Sequence, residues 1–226
     1  MLSLPVETVP GEADESYDPG WTPERIVEEL SLRKGLAARA GAGGKARRIV
    51  VGSDTIVVLD GDVLGKPRDA GEAKTMLSRL QGREHAVYTG LALVDAESAG
   101  FLREAGENPG GTAGGARGEP GVAFGIGSYR KIFRTSPGAG VAAGRPAAIV
   151  GHTASKVVFR PMSESEIDAY VESGEPLDKA GAYGVQGIGS VFIEKIDGDF
   201  YSVMGLPIHL LYRMLQEYGV SPFRRH

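Results

Sequence analysis

The chain has 226 residues, 42% of them hydrophobic, with no cysteine and a formal net charge of −4. That length holds one sizeable core, the absence of cysteine excludes disulfides and thiolate metal sites, and the charge argues against a protein that holds nucleic acid by phosphate neutralisation. No run approaches the ~18–20 apolar residues of a membrane span, and the opening MLSLPVETVPGEADES lacks the basic patch and apolar core of a signal peptide. A cytoplasmic protein without membrane attachment is therefore expected. His85, His152, His209 and His226 form no zinc-binding spacing, so any metal is expected to be hard and oxygen-bound, such as Mg2+ or Mn2+.

Leu4 to Val9 reads as a short strand. Thr22-Pro23 then opens a helix, with Thr22 as N-cap and Pro23 at the first helical position. Ile26, Val27, Leu30, Ala37 and Ala38 share a face of it, and Lys34 falls on that same face. The runs RIVV and TIVVL around Gly52-Ser53-Asp54 read as β-structure, and Asp60-Gly61 is a hairpin signal followed by Gly65-Lys66-Pro67. Asp69 and Glu72 predict a capping box for a helix that buries Ala73, Met76, Leu77 and Leu80 and stops at Gly82.

Glu84 to Asp95 reads as a strand. Residues 96–146 are rich in Gly, Ala, Pro and Arg with weak periodicity, which predicts a flexible insertion within a single domain spanning 1–226. Its SYRKIFR run, with Arg130, Lys131 and Arg134, reads as a solvated basic loop. A strand follows over SKVVFR. A second capping box, Ser163 with Glu166, then opens a helix ending at Gly174. Val191 to Met204 reads as a hairpin turning at Asp197-Gly198, and Leu206 onward as a final helix with Ile208, Leu211, Met214 and Leu215 inward. The alternation predicts an α/β or α+β fold with a mixed sheet flanked by helices.

Asp54 is a carboxylate among apolar strand residues. Burying it is costly unless it meets a cation or metal, and the other reading is a turn aspartate bonded to its own backbone; local sequence leaves both open. Lys34 alone reads as a lysine snorkelling from the rim of its helix, and Lys66 as a lysine in a rigid loop whose glycine allows close ligand approach. Residues 174–187, GEPLDKAGAYGVQG, gather Glu175, Asp178, Lys179, Tyr183 and Gln186 among four glycines. Gln186 carries a donor and an acceptor suited to a base edge. Glu12, Asp14 and Glu15 form an acidic cluster that could join Asp54 around a divalent cation, or could equally be a solvated turn.

The segments VGSDTIVVLDGDVLGKPRDAGEAKTMLSRLQGREHAVYTG and GEPLDKAGAYGVQGIGSVFIEKIDGDFYSVMGLPIHLL resemble the Maf family of nucleoside triphosphate pyrophosphatases. The likeness runs from Leu4 to about Val94 and from about Thr153 to the end. It implies an elongated mixed sheet with a deep cleft, and hydrolysis of a nucleoside triphosphate to the monophosphate and pyrophosphate with Mg2+ or Mn2+. Asp54 matches the family's general base, with metal contact as a second role. Lys34 and Lys66 match its phosphate-binding lysines, Glu15 an acid near the metal, and Thr55 and Gln186 the base-selecting positions of the dTTP/UTP subgroup. A homodimer is compatible with the resemblance.

The family's usual opening strand, its LASxSPRR-type loop and its first helix have no counterpart in the residues given. The resemblance therefore leads one to expect a weakened grip on the triphosphate and impaired activity. The other function carried forward is a nucleotide-binding regulator of cell division and septum formation that keeps the cleft without turnover.

Overall fold

The computed structural model describes residues 4–39, 48–97, 102, 116–134 and 145–223. Helix α1 spans Pro23–Arg39 and is followed by strands β1 (Ile49–Leu59) and β2 (Asp62–Leu64), helix α2 (Ala70–Leu80) and strand β3 (Glu84–Asp95). Strands β4 (Ala116–Gly118), β5 (Val122–Phe124), β6 (Gly127–Arg134) and β7 (Ala148–Phe159) come next. Helix α3 (Glu164–Glu172), three short 3-10 turns between Glu175 and Phe192, strand β8 (Ile193–Asp197), helix α4 (Phe200–Val203) and helix α5 (Ile208–Glu217) complete the order. The strands form one sheet in the order β2-β1-β3-β7-β6-β4, with β5 on β6 and β8 on β7.

The local signals act through identifiable bonds. Thr22 Oγ1 accepts from Arg25 N at 3.4 Å at the start of α1. Asp60 and Gly61 both take positive φ, 55° and 87°, which lets β1 turn directly into β2. Asp69 caps α2 by accepting from Glu72 N, while Glu72 bonds Arg68 N at 2.7 Å instead of completing a box with Asp69. The box of Ser163 and Glu166 on α3 is complete.

Side chains alternate across the strands, so the sheet has two distinct faces. Leu91, Leu93 and Ile149 pack under α5 through Leu210, Met214 and Leu215. Val57, Val87, Val157 and Phe159 pack under α2 and α3. Helix α1 lies on the opposite face, where Ile26, Val27 and Leu30 meet Ile56, and Leu32 meets Ala92 and Val94. It lies very close because two glycines open the sheet to it. A Cβ at Gly90 would sit 2.0 Å from Val27 O, and one at Gly52 would sit 2.3 Å from Ser31 O.

Four expectations need correction. Every strand pair described is antiparallel, not mixed, because each link between neighbours reverses direction. Leu4 to Val9 form no strand: among the described residues no ladder partner is present, and Val6 is 86% exposed. Within the segment read as a flexible insertion, residues 116–134 form three strands. Tyr129, Ile132 and Phe133 supply buried apolar surface, so SYRKIFR is a strand and not a solvated loop. Val191 to Met204 is not a hairpin. After β8, Asp199 caps α4 by accepting from Tyr201 N and Ser202 Oγ, and Gly198 lies against Ser155. Among the described residues no helix is long and apolar enough to cross a membrane.

Two predictions follow from this packing. Gly90→Ala forces a methyl into the α1 backbone and should cost about 3 kcal/mol or more, whereas Gly65→Ala, whose Cβ meets nothing within 4 Å, should stay within about 0.5 kcal/mol; urea unfolding of both variants checks this. His85 is buried at 3% exposure, and burial lowers its pKa from 6.5 to about 4. The folded state therefore keeps it neutral while the unfolded state takes up a proton below 6.5, so stability falls as pH drops from 6.5 toward 4. Between pH 7 and pH 5 the wild type should lose about 2 kcal/mol that a His85→Gln variant does not lose, read from urea midpoints at the two pH values.

Candidate active site

The sequence candidates converge on one cavity of about 280 Å³. Its lining includes Lys34 from α1, Ser53, Asp54 and Thr55 from β1, and Lys66 from the loop after β2. The segment 178–186 contributes Lys179, Tyr183 and Gln186, and the end of α4 contributes Val203, Met204 and Gly205. Glu15 joins through Lys34, whose Nζ lies 2.6 Å from Asp54 Oδ1 and 2.9 Å from Glu15 Oε1. Of the acidic cluster near the N-terminus, Asp14 turns instead to Ser16 N and Oγ.

The electrostatics follow from burial and pairing. Burial pushes the Asp54 carboxyl above the ordinary aspartate range, against the pull of Lys34 and Lys66. Burial opposes the Lys34 charge as well, but the bonds to Asp54 and Glu15 prevail and hold its pKa above the usual lysine value. The hydrogen bond from Lys34 lowers Glu15. A carboxylate lifted by desolvation beside a fixed ammonium has a more basic oxygen than a solvated aspartate, which is what proton abstraction from water requires. Two of the Lys34 N–H donors point at carboxylates, and a third is left for an anionic ligand.

The glycine-rich segment 174–187 has a division of labour that its composition did not reveal. Glu175 is a framing residue. Its carboxylate accepts from Ile188 N and Gly189 N at 2.9 Å each and from Tyr170 Oη at 3.0 Å. Tyr170 Oη in turn accepts from Gly184 N at 3.1 Å, so Gln186 sits on a turn held on both sides. Gly181 N donates to Gly65 O at 3.0 Å, which fixes the Lys66 loop beside Lys179. Tyr183 bonds His85 Nε2 at 2.9 Å beneath the cavity wall.

A row of hydroxyls was not singled out from the sequence. Thr55, Thr89 and Thr153 are register partners across β1, β3 and β7. Thr55 Oγ1 lies 3.0 Å from Thr89 Oγ1, Thr89 Oγ1 donates to Ser202 O at 2.7 Å, and Thr153 Oγ1 donates to Ser202 Oγ at 2.9 Å. The available signal was the placing of polar residues at the inward, alternate positions of three otherwise apolar strands.

Among the described residues no group of three or more histidine and acidic side chains could hold a metal ion. Glu15 and Asp54 are the hard carboxylate donors nearest each other in the site, and both are bonded to Lys34 Nζ, so a Mg2+-type ion held by them would take the place of that ammonium and be completed by ligand phosphates and water.

Comparison with known proteins agrees with this architecture. The family described as Maf-like protein matches residues 1–108 and 138–218. The dTTP/UTP pyrophosphatase of Symbiobacterium thermophilum is 37% identical over 223 residues, covering 99% of this chain and 88% of that protein. That of Bacillus cereus strain G9842 is 36% identical over 221 residues, covering 98% and 88%. That of Syntrophomonas wolfei is 34% identical over 223 residues, covering 99% and 92%. Match, fold and site lead to one assignment: the chain belongs to the Maf family.

Proposed function

We propose that the chain hydrolyses pyrimidine nucleoside triphosphates, of the dTTP and UTP kind, to the monophosphate and pyrophosphate. The observation that carries this reading is the buried Asp54 carboxylate facing the cavity, 2.6 Å from an ammonium that also grips Glu15. Further support comes from relatives named dTTP/UTP pyrophosphatase at 34–37% identity over nearly the whole chain. The retained Asp54 favours turnover over a regulator that only binds nucleotide.

In the proposed reaction Asp54 takes a proton from a water as the water oxygen bonds to the α-phosphorus. The bond from that phosphorus to the α,β-bridging oxygen breaks, and the electron pair leaves with pyrophosphate. Lys34, Lys66 and Lys179 line the cavity as cations for the phosphate oxygens, where negative charge accumulates. A divalent cation, Mg2+ or Mn2+, held by Glu15 and Asp54, would neutralise phosphate charge when bound. Gln186 and Thr55 would read the base.

Asp54→Asn should lower pyrophosphate release from UTP by roughly 10²-fold or more and leave the melting temperature equal or higher. The sign follows from the raised pKa: stability contributed by Asp54 as the neutral acid is lost as pH climbs from the ordinary 3.8 through the higher folded value, so the charge is a cost at pH 7. Release that survives the substitution overturns the assigned base. Lys66→Ala should raise KM roughly tenfold or more, with Lys66→Arg intermediate, and excess chelator should stop release until Mg2+ or Mn2+ is restored. Steady-state kinetics on UTP and dTTP read all of these effects.

A further inference from the structure

Asp54 is delivered to the site by a strand and Lys34 by a helix, but Glu15 has no such frame. Among the described residues, 4–18 form neither helix nor strand, and the Glu15 side chain is 55% exposed. Its carboxylate nevertheless meets Lys34 Nζ at 2.9 Å. A carboxylate on such a stretch reaches a fixed partner only if the main chain beneath it is tied down, since backbone entropy otherwise disperses it.

Arg33 makes that tie. Its Nη1 donates to Ser16 O at 2.7 Å and to Asp14 O at 3.4 Å, so one nitrogen spans the carbonyls on both sides of Glu15. The same nitrogen lies 3.7 Å from Asp14 Oδ2, and the Asp14 carboxylate accepts from Ser16 N and Oγ. The guanidinium is itself held. Its Nε donates to Glu29 Oε1 at 2.9 Å, a pair shielded by the burial of Glu29, and its carbon lies 5.9 Å from the centre of the Trp21 ring. A lysine has one nitrogen, so it could reach Glu29 or the carbonyls but not both.

Resting on the proposed function, we infer that Arg33 is a positioning residue that presents Glu15 to the site by gripping the main chain on either side of it. Arg33 and Lys34 are consecutive on α1, about 100° apart around the helix axis. One holds the backbone of 14–16 and the next meets the carboxylate that this backbone carries. The grip on a divalent cation then depends on a side chain that touches neither metal nor nucleotide.

The test measures UTP hydrolysis against Mg2+ concentration for the wild type, Arg33→Gln, Arg33→Lys, Glu15→Gln and the Arg33→Gln/Glu15→Gln double variant. Arg33→Gln should raise the Mg2+ needed for half-maximal rate roughly tenfold, with kcat at saturating Mg2+ little changed because Asp54 is untouched. Arg33→Lys should fall between. In the Glu15→Gln background the Arg33 substitution should add nothing, since its effect passes through that carboxylate. Effects that multiply in the double variant overturn the inference and leave turnover by Asp54 standing. So does an Arg33→Gln or Glu15→Gln variant that needs no more Mg2+ than the wild type. A second readout needs no turnover. A glutamate-specific protease should cut after Glu15 roughly tenfold faster in nucleotide-free Arg33→Gln, while the cut after Glu166 in α3 is unchanged. Equal cutting after Glu15 overturns the inference. Faster cutting at both sites reports global unfolding, and Arg33→Lys, which keeps a charge beside Glu29, then decides by the same two measurements. If the wild type hydrolyses no triphosphate the proposed function fails, and the protease still decides whether Arg33 holds Glu15.

Discussion

The close seat of α1 on the sheet is the constraint on which the site depends. The helix backbone can approach because Gly52 and Gly90 present no Cβ, and a methyl at either position would overlap a helix carbonyl. That proximity carries Lys34 down to Asp54, a residue two positions beyond Gly52 on the same face of β1. With an ordinary helix-to-sheet spacing the lysine would remain at the rim, and Asp54 would be a buried carboxylate with no cation in contact. Packing geometry and catalytic electrostatics are here the same fact.

Around that contact the molecule applies one device repeatedly: a buried polar atom fixes a group that faces the ligand. Glu175 and Tyr170 hold the turn carrying Gln186. His85 bonds Tyr183 behind the cavity wall. Ser202 takes the hydrogen of Thr89, and Asp199 takes that of Ser202. Orientation is thus set before a ligand arrives, which limits the reorganisation left to binding.

Much of this was legible in the sequence where the signal was local. The helix opened by Thr22-Pro23, the turn at Asp60-Gly61 and the capping box of Ser163 and Glu166 all stand, because each rests on bonds within a few residues. Asp54, Lys34, Lys66, Thr55 and Gln186 were singled out chiefly through the resemblance, and the fold brings all five to one cavity. Long-range pairing was not legible. Leu4 to Val9 looks like a strand but pairs with no strand among the described residues, while SYRKIFR looks like a basic loop until β7 offers it a ladder. The segment after β8 misled for a related reason: Asp197-Gly198 has turn chemistry, but Asp199 spends it on capping a helix. The threonine row needed the register of three strands, which no single stretch of sequence encodes.

One feature of β6 bears on how the protein comes apart. Arg130 lies outside the part of the chain matched by the family, yet it pairs with Glu28 of α1, which His152 of β7 also holds at 2.8 Å. Burial works against the Glu28 charge, and these two partners keep its pKa low regardless. Peeling β6 from the sheet would strip a buried carboxylate of its arginine partner, a loss far larger than that of a surface pair. Strand β6 is therefore not an independently fraying edge. It opens only at the expense of the helix that carries Lys34, so strand β6 and the site share a single cooperative unit.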